Sequence, residues 1–225
     1  MYTNLYADIV SIKLRMNTNK YTHLEISVPN IKHNLKYFRS FLRESTKLLV
    51  LVKAYGYGHG IGEYSRILED NGVDYLAVAF PGEGVAIREA GVKLPVIVLS
   101  GGMEHYPLLI QNQLEPSLPG PEAFQRFASE AYTMNRKDYP VHIKLDTGMH
   151  RLGAEEADIQ SLIEILPKTG SVKIASVFSH FVASGEPKND DFTRQQIARF
   201  ETLSGLLTDH LDYKPMRHLL TSPGT

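Results

Sequence analysis

The 225-residue sequence has no cysteine, and its 24 lysines and arginines nearly cancel 25 aspartates and glutamates. Without cysteine there are no disulfides, no thiolate metal sites and no thiol nucleophile, which fits a reducing compartment. A formal charge of -1 offers no polyanion-binding surface, so nucleic acid is not an expected partner. No stretch reaches the roughly 18 consecutive apolar residues of a membrane span, and Asp8, Lys13 and Arg15 interrupt the N-terminal region where a secretory signal needs an unbroken apolar core. These absences predict a cytoplasmic protein. What is present is enough hydrophobic residue, 43%, to bury a good-sized core.

After a polar leader, HLEISV (23–28) alternates as a strand would, and Pro29 suits the first turn of a helix carrying Ile31, Leu35, Phe38 and Leu42 on one face. Further strands are predicted at 48–52, 75–80, 96–100, around Leu114, and at 141–145, 174–180 and 218–222. Helical stretches lie between them, at 62–72, 82–91, 121–132, 156–166 and 191–211. Strands alternating with helices indicate βαβ units and a parallel sheet. A doubly wound sheet needs a G-x-G-x-x-G fingerprint after the first strand, and GYGHG (56–60) does not match it. A (β/α)8 barrel instead gathers functional residues at the C-terminal ends of several strands. The sequence shows that pattern: Lys53 closes the first strand, Asp146 and Arg151 follow the fifth, His180 closes the sixth and Ser222 the seventh. The fold class is therefore α/β, a TIM-type barrel with about seven of its eight strands.

Two readings compete for each of these residues. A lysine after a strand can snorkel to solvent, or it can be an amine desolvated enough to form a Schiff base with an aldehyde cofactor. Glycines 56, 58 and 60 permit close backbone approach to a ligand, and the Tyr57 hydroxyl could meet an anion. In HIKLDTGMHRLG (142–153), Lys144 stands one strand period before Asp146, and Arg151 presents a planar fork of donors suited to a carboxylate, although DTG is also ordinary turn chemistry. His180 in FSHF (178–181) could be a core histidine or a catalytic one. The hydroxyls and glycine of TSPGT (221–225) suit either a phosphate cradle or a turn.

Together these stretches resemble the bacterial alanine racemases, pyridoxal-phosphate enzymes with a fold-type III barrel, from about residue 22 to 225. LVKAYGYGHG (51–60) is similar to that family's cofactor-lysine segment, HIKLDTGMHRLG to its substrate-arginine segment, and YLAVAFPGEGVAIREAG (75–91) to its second strand–helix unit. The resemblance implies that Lys53 bonds to pyridoxal 5'-phosphate and serves as one of two acid/base groups. Tyr57 and Ser222 would bind the phosphate, Arg151 the substrate carboxylate, and His180 would lie against the pyridine ring. Lys144 matches a position carbamylated in many members, where the anion orients the arginine. No metal is implied.

The implied reaction is racemisation of L-alanine to D-alanine for peptidoglycan, by a homodimer whose second acid/base group is a tyrosine from a C-terminal β domain of the partner subunit. That tyrosine, an arginine facing the pyridine nitrogen and the glycine-containing eighth strand are expected beyond residue 225. The sequence thus reads as a leader or linker (1–21), of the kind that joins a fused upstream ligase to the racemase in some bacteria, and a C-terminally truncated barrel (22–225) expected to be inactive in isolation. Thr221 and Pro223 depart from the family's pattern, and Pro223 lacks an N–H that could bind phosphate. The alternatives are a single-domain pyridoxal-phosphate carrier protein without catalytic activity, which the DTGMHRLG segment disfavours, and a racemase of another amino acid.

Overall fold

A computed structural model describes residues 24–166, 169–219 and 221–222. Seven strands form one parallel sheet in simple sequential order: β1 (Leu49–Leu51), β2 (Tyr75–Val78), β3 (Val96–Val98), β4 (Glu115–Leu118), β5 (Tyr139–Lys144), β6 (Val172–Phe178) and β7 (Met216–His218). Parallel pairing of consecutive strands requires a crossover each time. The crossovers are α3 (Ile61–Asp70), α4 (Pro81–Glu89), α5 (Tyr106–Gln111), α6 (Pro121–Thr133), α7 (Glu156–Ile165) and α8 (Asp190–Thr208). This is the expected (β/α) barrel with seven strands in place. The leader lies outside the described residues. Among the described residues no helix is long and apolar enough to cross a membrane.

Register shows which residues face inward. Leu51 aligns with Ala77, Ala77 with Ile97, and Ile97 with Glu115; Ser117 aligns with His142, His142 with Ser176 and Ser176 with Met216. Side chains alternate along a strand, so this row and its neighbours two residues on line the barrel. The alternate residues, such as Leu76, Val78, Val96, Val98, Val141, Ile143 and Val177, are almost wholly buried against the helices. That outer layer is the main apolar core. On α6 the buried residues Ala123, Phe124, Phe127, Ala128 and Ala131 form one helical stripe. α4 approaches so closely that a Cβ at Gly84 would stand 2.7 Å from Leu114 Cδ1.

Three sequence expectations are corrected. HLEISV is not a strand in its described part: residues 24–27 are irregular, and α1 (Val28–Phe41) begins at once. Ser27 caps that helix by accepting a hydrogen bond from the Asn30 N–H at 3.4 Å, and this cap with Pro29 overrides the short alternation. α5 was missed because its six residues are too few to show a period. β7 ends at His218, so Thr221 and Ser222 lie in the loop beyond it.

Candidate active site

Lys53 is half-buried at the barrel mouth. The turn it opens, α2 (Lys53–Tyr57), is left-handed: Ala54, Tyr55, Gly56 and Tyr57 have φ of 53°, 57°, 64° and 52°. A left-handed turn costs roughly 1–2 kcal/mol for each residue carrying a Cβ, so something must hold it. One clamp is Glu83 near the start of α4. Its Oε1 accepts from the Ala54 N–H at 2.6 Å, and its Oε2 from the Ala79 and Phe80 N–H groups at 2.8 and 3.0 Å. The other is local, since Gly58 and Gly60 both donate to the Tyr55 carbonyl. Gly56 is buried against Tyr64, where a Cβ would meet Cδ1 at 3.3 Å. The turn leaves Tyr57 exposed, with its hydroxyl pushed above the ordinary phenol value by burial and then by the negative charge of Glu83.

Lys144 is the last residue of β5 and is 8% exposed. Burial, then the charge of Arg151, pushes its amine below the ordinary lysine value against the opposing pull of Asp146. The loop that follows is closed by its own backbone: Asp146 N–H donates to Ala154 O at 3.0 Å and Ala154 N–H to Lys144 O at 2.8 Å. Gly153 makes this closure possible. Its φ is +145°, and a Cβ there would lie 2.5 Å from Leu145 C and Asp146 N. Asp146 Oδ1 accepts from the Gly148 and His150 N–H groups at 2.8 and 3.1 Å. Burial works against ionisation of this carboxyl, but those N–H groups and the charge of His150 outweigh it and hold it below its ordinary value. Its charge is therefore spent on the loop, and Arg151 at the loop's tip is exposed.

His180 follows β6 at the same rim. Burial, then the positive charges of Lys144, Arg151 and Lys53, holds its imidazole below the ordinary histidine value. The fold thus brings Lys53, Lys144 and Arg151 within electrostatic range of His180. Ser222 is exposed on the same side of the barrel, where neighbouring Thr221 meets Ser184 of the β6–α8 loop, hydroxyl to hydroxyl at 3.2 Å.

Just below this rim runs a chain that sequence inspection missed. His142 Nε2 lies 2.7 Å from Glu115 Oε2, His142 Nδ1 lies 2.6 Å from Ser176 Oγ, and Ser176 Oγ lies 3.1 Å from His218 Nε2. His218 stacks on Phe178 with centroids 4.8 Å apart, and burial followed by the charge of His142 pushes its imidazole down to about 4. Alternation in HIKL put His142 and Lys144 on one face, but nothing local revealed Glu115 or Ser176 as their neighbours.

Among the described residues, Lys53, Lys144 and Arg151 form no ion pair with a carboxylate. The nearest acids, Glu83 and Asp146, are already engaged by backbone N–H groups. A barrel rim with surplus cations, a half-buried lysine and an imidazole that resists protonation fits a ligand bearing an aldehyde and a phosphate, beside a carboxylate-bearing substrate. No cluster of residues able to hold a metal ion occurs among the described residues.

Fold and site together define a (β/α) barrel with two lysines, an arginine and a histidine at its strand ends. The sequence matches the family described as alanine racemase, N-terminal domain, over residues 26–225, and the chain belongs to that family. The alanine racemase of Synechocystis sp. is 33% identical over 207 residues, covering 90% of this chain and 54% of the relative. That of Thermodesulfovibrio yellowstonii is 33% identical over 217 residues, covering 92% and 55%. Among solved structures, an alanine racemase from Clostridium difficile superposes with a TM-score of 0.80 at 31% identity, covering 87% of this chain and 54% of that one. The chain spans about half the length of the relatives it matches.

Proposed function

We propose that this chain is the cofactor-binding barrel of a pyridoxal 5'-phosphate-dependent alanine racemase. The observation that carries the reading is the approach of Lys53, Lys144 and Arg151 to His180 on one rim, with no ion pair from these three cations to a carboxylate among the described residues. The full-length curated relatives are named alanine racemases, and one C. difficile structure is a racemase in complex with cycloserine, a small ligand of that protein.

Bound pyridoxal phosphate supplies an electron sink that makes the α-proton of an amino acid removable. The chain's own residues do the rest. Lys53 anchors the aldehyde and holds or releases a proton at Nζ on one face of the substrate. Arg151 receives the substrate carboxylate in its guanidinium fork. With the cofactor bound, the His180 ring would face its pyridine, and the Tyr57 and Ser222 hydroxyls would be the groups to hold its phosphate. The depressed amine of Lys144 is largely uncharged nearer neutrality than an ordinary lysine, which suits carbamylation, and the resulting anion would orient Arg151. Racemisation needs a second acid/base group on the opposite face. We assign it to a partner subunit's C-terminal domain in a cytoplasmic homodimer supplying D-alanine for peptidoglycan.

The test is spectroscopic. The complete gene product loaded with pyridoxal phosphate should show a lysine-bound cofactor absorption band that borohydride traps on the peptide containing Lys53. Lys53→Ala should abolish both the band and alanine racemisation. A wild-type protein with neither would refute the proposal, and a band without alanine racemisation would move it to another amino acid or to a carrier role.

A further inference from the structure

The inner stripe of α8 consists of Gln196, Phe200, Leu203, Ser204 and Leu207, so a glutamine occupies a place where packing alone would favour leucine. Gln196 is 0% exposed, and glutamine is a residue type mostly found at the surface. Its carboxamide is fully used. Nε2 donates to the His180 carbonyl at 3.0 Å and to Thr147 Oγ1 at 3.2 Å, while Oε1 accepts from the Val182 N–H at 3.1 Å. The orientation is fixed by its partners, since a carbonyl must face the NH2 and an N–H must face the oxygen.

These three partners belong to two different loops. His180 and Val182 follow β6, and Thr147 lies in the β5–α7 loop that carries Arg151. Two further contacts reinforce the link. Thr147 Oγ1 and Ser179 Oγ are 2.8 Å apart, with Ser179 donating to Leu145 O at 2.8 Å, and Arg199, one turn along α8, donates to Asp146 O at 3.3 Å. The geometry points to Gln196 as a positioning residue that locks the histidine loop and the arginine loop to one helix, setting the distance between the substrate-carboxylate site and the cofactor face. Gln196 itself touches neither cofactor nor substrate. The inference rests on the racemase reading of Arg151 and His180.

Arg151 holds the carboxylate before and during the reaction, so loosening its loop weakens substrate binding more than the chemical step. In the complete, cofactor-loaded protein, Gln196→Leu should raise KM for alanine about tenfold and change kcat by less than about threefold, given how steeply function depends on positioning. In the cofactor-free protein the same substitution should speed hydrogen exchange at the Val182 amide by about tenfold or more, because that N–H loses its acceptor. Ser204→Ala, a buried change on the same helix, should leave KM at the wild-type value. A folded Gln196→Leu protein with KM within about twofold of wild type would overturn the inference, as would a parallel change in Ser204→Ala. If Gln196→Leu does not fold, the shape-preserving Thr147→Val carries the test: raised KM supports the clamp and unchanged KM overturns it. Failure of the racemase reading is distinguishable, since wild type would then neither racemise alanine nor bind cofactor at Lys53 while the Val182 exchange still reported the clamp.

Discussion

At the residue scale the site depends on charges that the fold spends and charges that it leaves unspent. Asp146 and Glu83 lie close enough to the mouth to neutralise a cation, yet backbone N–H groups hold both carboxylates. Burial and then the charge of Arg151 lower the affinity of Lys144 for protons, and burial followed by the charges of Lys144, Arg151 and Lys53 lowers that of His180. That surplus is what an anionic ligand would complete. Gly153 is the residue on which the arrangement of the arginine loop rests most directly. Gly153→Ala should destabilise the protein by more than about 2 kcal/mol, because it adds a Cβ against Leu145 and Asp146 backbone and imposes a φ that L-residues avoid. Denaturant unfolding would measure this, and an unchanged midpoint would contradict the close approach. In HIKLDTGMHRLG the sequence marked DTG as turn chemistry but did not single out Gly153, whose role, in a chain doubling back onto the end of β5, lies in the pairing of Leu145 with Ala154.

At the element scale, the left-handed turn after β1 is the least ordinary piece of backbone. Three non-glycine residues, Ala54, Tyr55 and Tyr57, adopt positive φ there, and a carboxylate from the next crossover unit secures them. Glu83→Ala should therefore release the turn. We expect cofactor affinity to fall by about tenfold or more, since one charge-assisted hydrogen bond is worth about 1.5–3 kcal/mol. The loss should exceed that of Glu83→Gln, whose amide oxygen can still accept one N–H. Cofactor titration would measure both, and equal affinity in all three proteins would remove Glu83 from the site. Sequence marked this segment through its lysine and three glycines, whereas the hand of the turn came from a contact 29 residues away. The same division applies to the strands. Their order followed from alternation of apolar runs and helices, while the β7 boundary was misplaced because MRH and LTS carry no pattern that distinguishes strand from loop.

At the scale of the whole molecule, the barrel interior carries a polar chain on its β4–β7 side, whereas the outer layer is apolar. Glu115, His142, Ser176 and His218 come from four successive strands and satisfy one another. Such a network is tolerated because each member has a partner, and it makes the fold sensitive to acid. His218 in the folded protein resists protonation until about pH 4, whereas in the unfolded chain it takes up a proton near pH 6.5. Unfolding therefore binds a proton in that window, so stability is full above pH 6.5 and falls as pH drops towards 4, by on the order of 3 kcal/mol. His180, shifted in the same direction, adds to the loss. Denaturation midpoints measured between pH 7 and 4 should show the decline, and His218→Gln should flatten it; a wild-type profile already flat would contradict the burial of a neutral His218.

The amino-acid sequence by itself determined the class of fold and the positions of its chemical groups. Strand and helix periodicities are local, so Lys53, Lys144, Arg151 and His180 could be placed at or just after strand ends, while the roles given to them came from the resemblance to a family. Only the tertiary structure decided what surrounds them. The clamps Glu83 and Gln196 and the chain from Glu115 to His218 join residues far apart in sequence, and hydrogen bonding and desolvation act through space, where linear spacing carries no information about them.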